Sequence, residues 1–137
     1  MSIRNTKDSR LLDNTASLDG TIRRESITPG TIASDILTVD YWSNSIYSVS
    51  SPSANFTVNL VNAPTENDKI INLNIVVTQG ATARIPSAFQ IGGAAQTLRW
   101  VANITPTGTS NKIDIFSFSI IRQSSAWVVL GQASLNF

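Results

Sequence analysis

The chain has 137 residues, a formal net charge of +1, and neither cysteine nor histidine. This composition excludes disulfides, Cys/His zinc sites, thiol nucleophiles and histidine acid–base catalysis. No basic run extends beyond Arg23-Arg24, so the sequence lacks a stripe that would neutralise phosphates, and nucleic acid is not an expected partner. The length suits one domain that buries roughly two thirds of its unfolded surface.

No apolar segment approaches the length of about 18 residues that a membrane span needs, and the first five residues lack the apolar core of a signal peptide. We therefore expect no membrane partner and a location in a cytoplasm or in an assembly. Charge is uneven, because eleven of the nineteen charged side chains lie in residues 1–40. A domain so poor in charge is best covered by further copies of the chain, which predicts a homo-oligomer.

Residues 1–36 are predicted to form an extended N-terminal arm, and residues 37–137 a β domain. The arm is polar, has no helical stripe, and contains Pro29-Gly30, which suits a type II turn. Its isolated apolar residues cannot bury one another, so we expect the arm to dock on neighbouring chains or to exchange strands with them; a disordered tail is the alternative. The assembly residues predicted in the arm are Leu11, Leu12, Ile22, Ile27 and Ile32.

Residues 41–49 form an aromatic-rich entry to the β domain, in which Ile46 and Trp42 are assigned to the inner face. Trp42 is also a candidate interface residue, because it adjoins Tyr41 and the two side chains face opposite ways. The next segment alternates cleanly, with apolar residues at every second position pointing inward: Phe56, Val58 and Leu60.

The segment from Lys69 to Thr78 shows the period of two expected of a half-buried strand. Its predicted inward residues are Ile71, Leu73, Ile75 and Val77. Pro86 indicates an edge strand or an irregular one. Gly92-Gly93 predicts a tight hairpin before residues 94–101, in which Trp100 is expected to pack in the core.

Two further strands follow. In the first, Phe116, Phe118 and Ile120 share a face; residues 126–131 are apolar on both faces and are expected to be buried, with Trp127 in the core. In total, six to eight short strands at spacings of about 10 residues, with turns between them and no helix, predict an all-β fold. The expected architecture is an antiparallel β-sandwich or jelly roll with an extended N-terminal arm.

No chemistry emerges from the polar residues. A glycosidase needs two carboxylates about 5 to 10 Å apart across a sugar, yet Asp68 and Asp114 stand beside lysines at strand starts, where exposed ion pairing or turn capping is expected. A nucleophilic serine would need a base in a recognisable motif, and no glycine-rich loop opens a helix. We predict a protein that is not an enzyme and has no cofactor and no metal.

From Asn55 to the C-terminus the pattern resembles a small β domain common in bacteriophage virion proteins, often found at fibre ends behind collagen-like repeats. The fragments that carry the resemblance are Asn67-Asp68-Lys69-Ile70, Gln79-Gly80-Ala81-Thr82, Leu98-Arg99-Trp100, Ser110-Asn111-Lys112-Ile113-Asp114, Phe118 and Ala126-Trp127-Val128-Val129-Leu130-Gly131. The resemblance implies a β-sandwich, trimeric, on the exterior of a virion and without enzymatic activity. This sequence has no Gly-X-Y collagen run and carries only the arm.

The leading hypothesis is a head decoration or cement protein of a phage particle, assembled in the host cytoplasm, whose arm docks on the major capsid protein or on neighbouring accessory chains. The alternative is a tail or neck fibre subunit that binds host glycan through Trp42 or the loop of residues 103–111. A depolymerase is the third hypothesis and the least favoured.

Overall fold

The computed structural model describes residues 26–137, which form a sandwich of two β-sheets. The predicted all-β fold is confirmed. Leu11, Leu12 and Ile22 lie outside the described residues. The strands are β1 Thr28–Pro29, β2 Ile32–Ala33, β3 Ile36–Asp40, β4 Ile46–Ser50, β5 Phe56–Val61, β6 Lys69–Thr78, β7 Pro86–Ile91, β8 Ala94–Gln96, β9 Leu98–Trp100, β10 Ile113–Gln123 and β11 Ala126–Ser134.

Sheet A has the strand order β9-β11-β10-β6-β4-β1, and sheet B has the order β2-β3-β5-β7-β8. The two short strands β1 and β2 lie within the segment assigned to the arm: β1 pairs with β4 in sheet A, and β2 pairs with β3 in sheet B. The C-terminal part of that segment therefore hydrogen-bonds to both sheets.

The pairing of the strands differs from the antiparallel pattern that was expected. β10 pairs antiparallel with β6 and β11, but β3, β5 and β7 run parallel in sheet B, and β4 and β6 run parallel in sheet A. The reason is that the chain crosses to the other sheet after each strand from β3 to β6. The chain reverses its direction at each crossing. When it comes back to a sheet after two crossings, the new strand therefore runs parallel to the strand beside it.

The core lies between the sheets and consists of the alternating residues that the sequence predicted. The side chains of Phe56, Val58 and Leu60 from sheet B and of Leu73, Ile75 and Val77 from sheet A are buried, as are Phe116, Phe118 and Ile120. Phe89 of β7 meets Phe118 of β10 with ring centroids 5.2 Å apart, which joins the two sheets at the centre. Trp100 is buried against the Phe118 ring at 5.8 Å, as expected.

Three local expectations were wrong. On β4 the buried residues are Tyr47 and Val49, and Ile46 is only half-buried. Residues 126–131 are not buried on both faces, because Leu130 on the outer face is 40% exposed. Gly30 does not have the positive φ of a type II turn; it is needed because a Cβ there would come within 2.6 Å of the Leu37 side chain.

Two predicted backbone features are confirmed. Gly92 and Gly93, with φ of +57° and +83°, form the tight turn between the antiparallel strands β7 and β8. Pro86 stands at the first position of β7, where the pairing with β5 shifts register between Phe56 and Thr57. Proline is tolerated there because a strand start does not require its missing N–H.

Candidate functional site

The largest exposed aromatic surface lies in residues 41–45, which connect β3 to β4. Together with Asp40, the last residue of β3, they are called the aromatic turn below. Trp42 is 76% exposed and Tyr41 is 43% exposed, with their rings edge to face at a centroid distance of 6.2 Å. The assignment of Trp42 to the inner face was therefore wrong. Two adjacent aromatic side chains that remain in water at one turn are a candidate contact surface.

Polar contacts fix the shape of the aromatic turn. One carboxylate oxygen of Asp40 accepts hydrogen bonds from the backbone N–H of Trp42 at 2.9 Å and from the side-chain amide of Asn62 at 2.8 Å. The Asn62 bond and, to a smaller extent, the Trp42 bond hold the pKa of Asp40 below its ordinary value of 3.8. The Tyr47 hydroxyl in turn accepts the Asp40 N–H at 3.0 Å, which accounts for the inward placement of Tyr47.

Asn44 links the aromatic turn to the beginning of the described chain. Its side-chain amide donates to the Ser26 carbonyl, to the Ser26 hydroxyl at 3.1 Å and to the Thr28 hydroxyl at 3.2 Å. Ser26 is the first described residue, so the described part of the chain begins beside the aromatic turn. Ile27, between the two residues that Asn44 holds, is 53% exposed.

The predicted assembly residues separate into distinct groups. Ile27 and Trp42 both expose their side chains around Asn44, at one end of the sandwich. Ile32 is half-buried and packs against the core of its own domain. The exposure of Trp42 could have been anticipated from the spacing Asp40-x-Trp42, because an aspartate that accepts the N–H two residues on forms a turn, and turns lie at the surface.

The opposite end of the sandwich contains a buried polar pair that sequence reasoning missed, Gln79 and Asp114. The Gln79 amide donates to one carboxylate oxygen of Asp114 at 2.9 Å and to the Arg84 carbonyl at 2.8 Å, and it accepts the Arg84 N–H at 2.8 Å. Asp114 also accepts the backbone N–H groups of Thr109 at 2.7 Å and Asn136 at 2.9 Å.

This polar pair holds together three segments: the loop after β6, the loop before β10 and the C-terminal residues. Asp114 is fully buried, so the exposed ion pair that was one of its two expected roles was wrong. The other expected role, turn capping, agrees with the bond that Asp114 accepts from Thr109 in the loop before β10. The alternation of side chains along the strand could have identified the burial of Asp114. Asp114 stands two residues before Phe116, so it lies on the same, inward face of β10. All its observed bonds are internal, which indicates a structural role at this end.

Within residues 26–137, no cluster of three or more acidic side chains is placed to hold a metal ion. In the same part of the chain, no helix has the length and hydropathy to cross a membrane.

The half-buried Trp127 lies under the guanidinium of Arg122, which is 4.7 Å from the centroid of the indole ring. The indole therefore packs partly on the core and partly against a cation. No protein-family model, curated protein or solved structure matches this chain.

Proposed function

We propose that the protein is a non-enzymatic structural component of a bacteriophage particle, a homotrimeric head decoration or cement protein that docks through its N-terminal segment. The observation that carries the proposal is the link made by Asn44, which bonds to Ser26 and Thr28 on either side of the exposed Ile27 and stands two residues from the exposed Trp42. An extended segment and an adjacent rigid aromatic surface can contact the same neighbouring chain. The partner is the major capsid protein or another accessory chain of the particle.

Burial of the aromatic turn supplies the affinity. An aromatic side chain buries about 150–250 Å² at an interface, and each Å² of apolar surface contributes roughly 25 cal/mol, so full burial of Trp42 contributes about 4–6 kcal/mol before the entropy cost of association is subtracted. Tryptophan is among the residues that most often dominate interface energies. Because Asp40 and Asn62 already fix the turn, little ordering entropy is lost when it docks.

The test is a binding assay on particles that lack the protein. Full-length protein, residues 26–137 alone, the Trp42→Ala variant and the Ile104→Ala variant are added, and bound copies are counted by quantitative mass spectrometry. Ile104 is the matched control, because it is 66% exposed in a loop that is not part of the aromatic turn. We expect the shortened protein to fail to bind, Trp42→Ala to bind at least about tenfold more weakly, and Ile104→Ala to bind like the unmodified protein.

The shortened protein begins at residue 26 so that β1 and β2, which pair with the sheets, remain in place. Binding of residues 26–137 at full occupancy would contradict docking by the N-terminal segment. Equal losses in Trp42→Ala and Ile104→Ala would contradict the role of the aromatic turn.

A tail or neck fibre subunit that binds host glycan is the second candidate, favoured by the exposure of the Trp42 and Tyr41 rings. Exposed aromatic faces of this kind can stack on apolar ring faces of ligands. This candidate requires retention of the protein on host surface polysaccharide and its loss in Trp42→Ala, with binding to heads absent in both forms.

A further inference from the structure

A groove of about 490 Å³ crosses the outer face of sheet A, at right angles to the strands. Its floor is the row of residues that pair across β6, β10, β11 and β9, namely Leu73, Phe118, Gly131 and Trp100. The side chains of this row face the core, so the groove is floored by backbone. The volume lies within the range of ligand-binding clefts.

One wall of the groove is the neighbouring row of outward-facing residues. In order across the four strands, it consists of Asn72, Ser119, Leu130 and Arg99. Asn72 on β6 and Ser119 on β10 are polar. Leu130 on β11 offers an apolar surface, and Arg99 on β9 carries a positive charge. The row spans three strand separations, which is about 14 Å. A ligand lying along it would therefore meet an amide and hydroxyl at one end and a guanidinium at the other.

The second wall is the row on the other side of the floor: Asn74, Ser117 and Gln132. The Ser117 hydroxyl donates to the side-chain carbonyl oxygen of Asn74 at 2.6 Å, and the Ser119 hydroxyl makes a longer contact of 3.4 Å with the corresponding oxygen of Asn72. Each serine hydroxyl thus bonds to one lone pair of the facing amide oxygen, closely at Asn74 and weakly at Asn72. Within residues 26–137, the NH₂ groups of Asn72 and Asn74 have no hydrogen-bond partner, so both remain available as donors to a ligand.

Charge narrows the class of ligand. Arg99 is the single charged residue among the described residues that line the groove, and no carboxylate lines it. A guanidinium binds a carboxylate through two parallel N–H donors, with a hydrogen bond stronger than those between neutral groups. Amides and hydroxyls along the rest of the groove can donate to and accept from the successive hydroxyl groups of a sugar. An apolar sugar face can rest on Leu130.

From these features we infer that the outer face of sheet A binds a short acidic oligosaccharide, with its carboxylate at Arg99 and its hydroxyls along the Asn72 and Asn74 rows. A peptide fits less well. The groove crosses the strands, so a peptide lying in it cannot add a strand to the sheet, and the walls offer no deep apolar pocket for side chains. The inference is separate from docking by the N-terminal segment, since none of the groove residues belongs to the aromatic turn.

The test is an NMR titration of the isotope-labelled full chain with trigalacturonate, a trisaccharide with a carboxylate on each ring, and with maltotriose as the neutral match. We expect trigalacturonate to shift the side-chain NH₂ signals of Asn72 and Asn74 and the backbone signals of the floor residues. Binding of maltotriose should be at least about tenfold weaker, because it lacks the group that Arg99 binds.

Single substitutions test the roles of Asn74 and Arg99. Asn74→Ala should weaken trigalacturonate binding about tenfold, and Arg99→Ala should remove most of the preference over maltotriose. Gln90→Ala is the control, because Gln90 is a half-buried amide on the outer face of sheet B. The inference is overturned if millimolar trigalacturonate shifts no groove signal, if the shifts cluster at the aromatic turn instead, or if Asn74→Ala and Gln90→Ala bind alike.

Discussion

The two ends of the sandwich use polar side chains for opposite purposes. At the end that contains Gln79 and Asp114, polar groups are buried and bonded to one another, and they hold the loops and the C-terminal residues closed. At the aromatic end, Asp40 and Asn62 lie near the surface, and their bonds hold Tyr41 and Trp42 out in water. The first arrangement stabilises the fold, whereas the second keeps two aromatic rings exposed at the proposed contact surface, so stability and the proposed function are expected to depend on different ends.

The largest effect on stability is expected at the closed end. Asp114→Ala would leave the buried Gln79 amide and the part-buried N–H groups of Thr109 and Asn136 without this acceptor; at about 1–3 kcal/mol for a buried donor and less for a part-buried one, the free energy of unfolding should fall by about 2–3 kcal/mol. Denaturant unfolding followed by circular dichroism measures it. Asp114→Asn, which keeps one acceptor oxygen in the same volume, should lose less. A loss below about 1 kcal/mol in the alanine variant would contradict a structural role for the buried carboxylate.

A smaller effect is expected where Arg122 covers Trp127. Arg122→Ala removes a cation from the indole face and the bond that its Nε donates to the Thr65 carbonyl at 3.1 Å, so we expect a loss of about 1 kcal/mol. Arg122→Lys keeps the charge but not the planar stacking, and it should recover only part of the loss. The same unfolding assay, with tryptophan emission as the probe, decides the question. An alanine variant as stable as the unmodified protein would show that the stacked pair adds nothing.

Trp42→Ala should leave stability nearly unchanged, within about 0.5 kcal/mol, because the indole is mostly in water and makes few contacts with the fold. The same variant is expected to bind particles at least about tenfold more weakly, so it separates the effect on binding from the effect on stability. Thermal unfolding of the purified variant provides the measurement. A destabilisation comparable to that of Asp114→Ala would mean that the aromatic turn supports the fold after all.

The smallest effect is a local response to acid. The folded state holds the pKa of Asp40 below 3.8, so folding favours the charged carboxylate. The resulting contribution to the stability of the folded state is complete above pH 3.8 and is lost as the pH falls through the lowered pKa. The backbone amide signal of Trp42, which bonds to Asp40, should therefore move with a midpoint below 3.8. It should not titrate in Asp40→Asn. A midpoint at or above 3.8 would contradict the hydrogen bonding of the turn.

The sequence predicted the features that depend only on residues close together in the chain. The period of two along β6 and β10 identified their buried side chains, because alternate residues of any strand face the same side. The glycine pair identified the β7–β8 turn for an equally local reason. Asp114 obeys the same alternation, but its polarity led to an exposed assignment, since buried acids are rare unless they are bonded to partners that lie elsewhere in the chain.

Features that depend on distant segments could not be found in this way. Residues 94–101 look like one strand, yet the chain leaves sheet B after Gln96 and enters sheet A at Leu98. Parallel pairing of β4 with β6 requires knowing that β5 belongs to the other sheet. Likewise, the contact of Asn44 with Ser26 and the alignment of rows that forms the transverse groove follow from strand register, which the sequence pattern does not specify.

The copy number in purified particles decides whether the protein is an accessory component of a phage head, as we propose. Heads and tails are separated, and the protein is quantified in each by mass spectrometry against the major capsid protein. We expect many copies per particle, all in the head fraction and in a fixed ratio to the capsid protein. A few copies confined to the tails, or absence from both fractions, would contradict it.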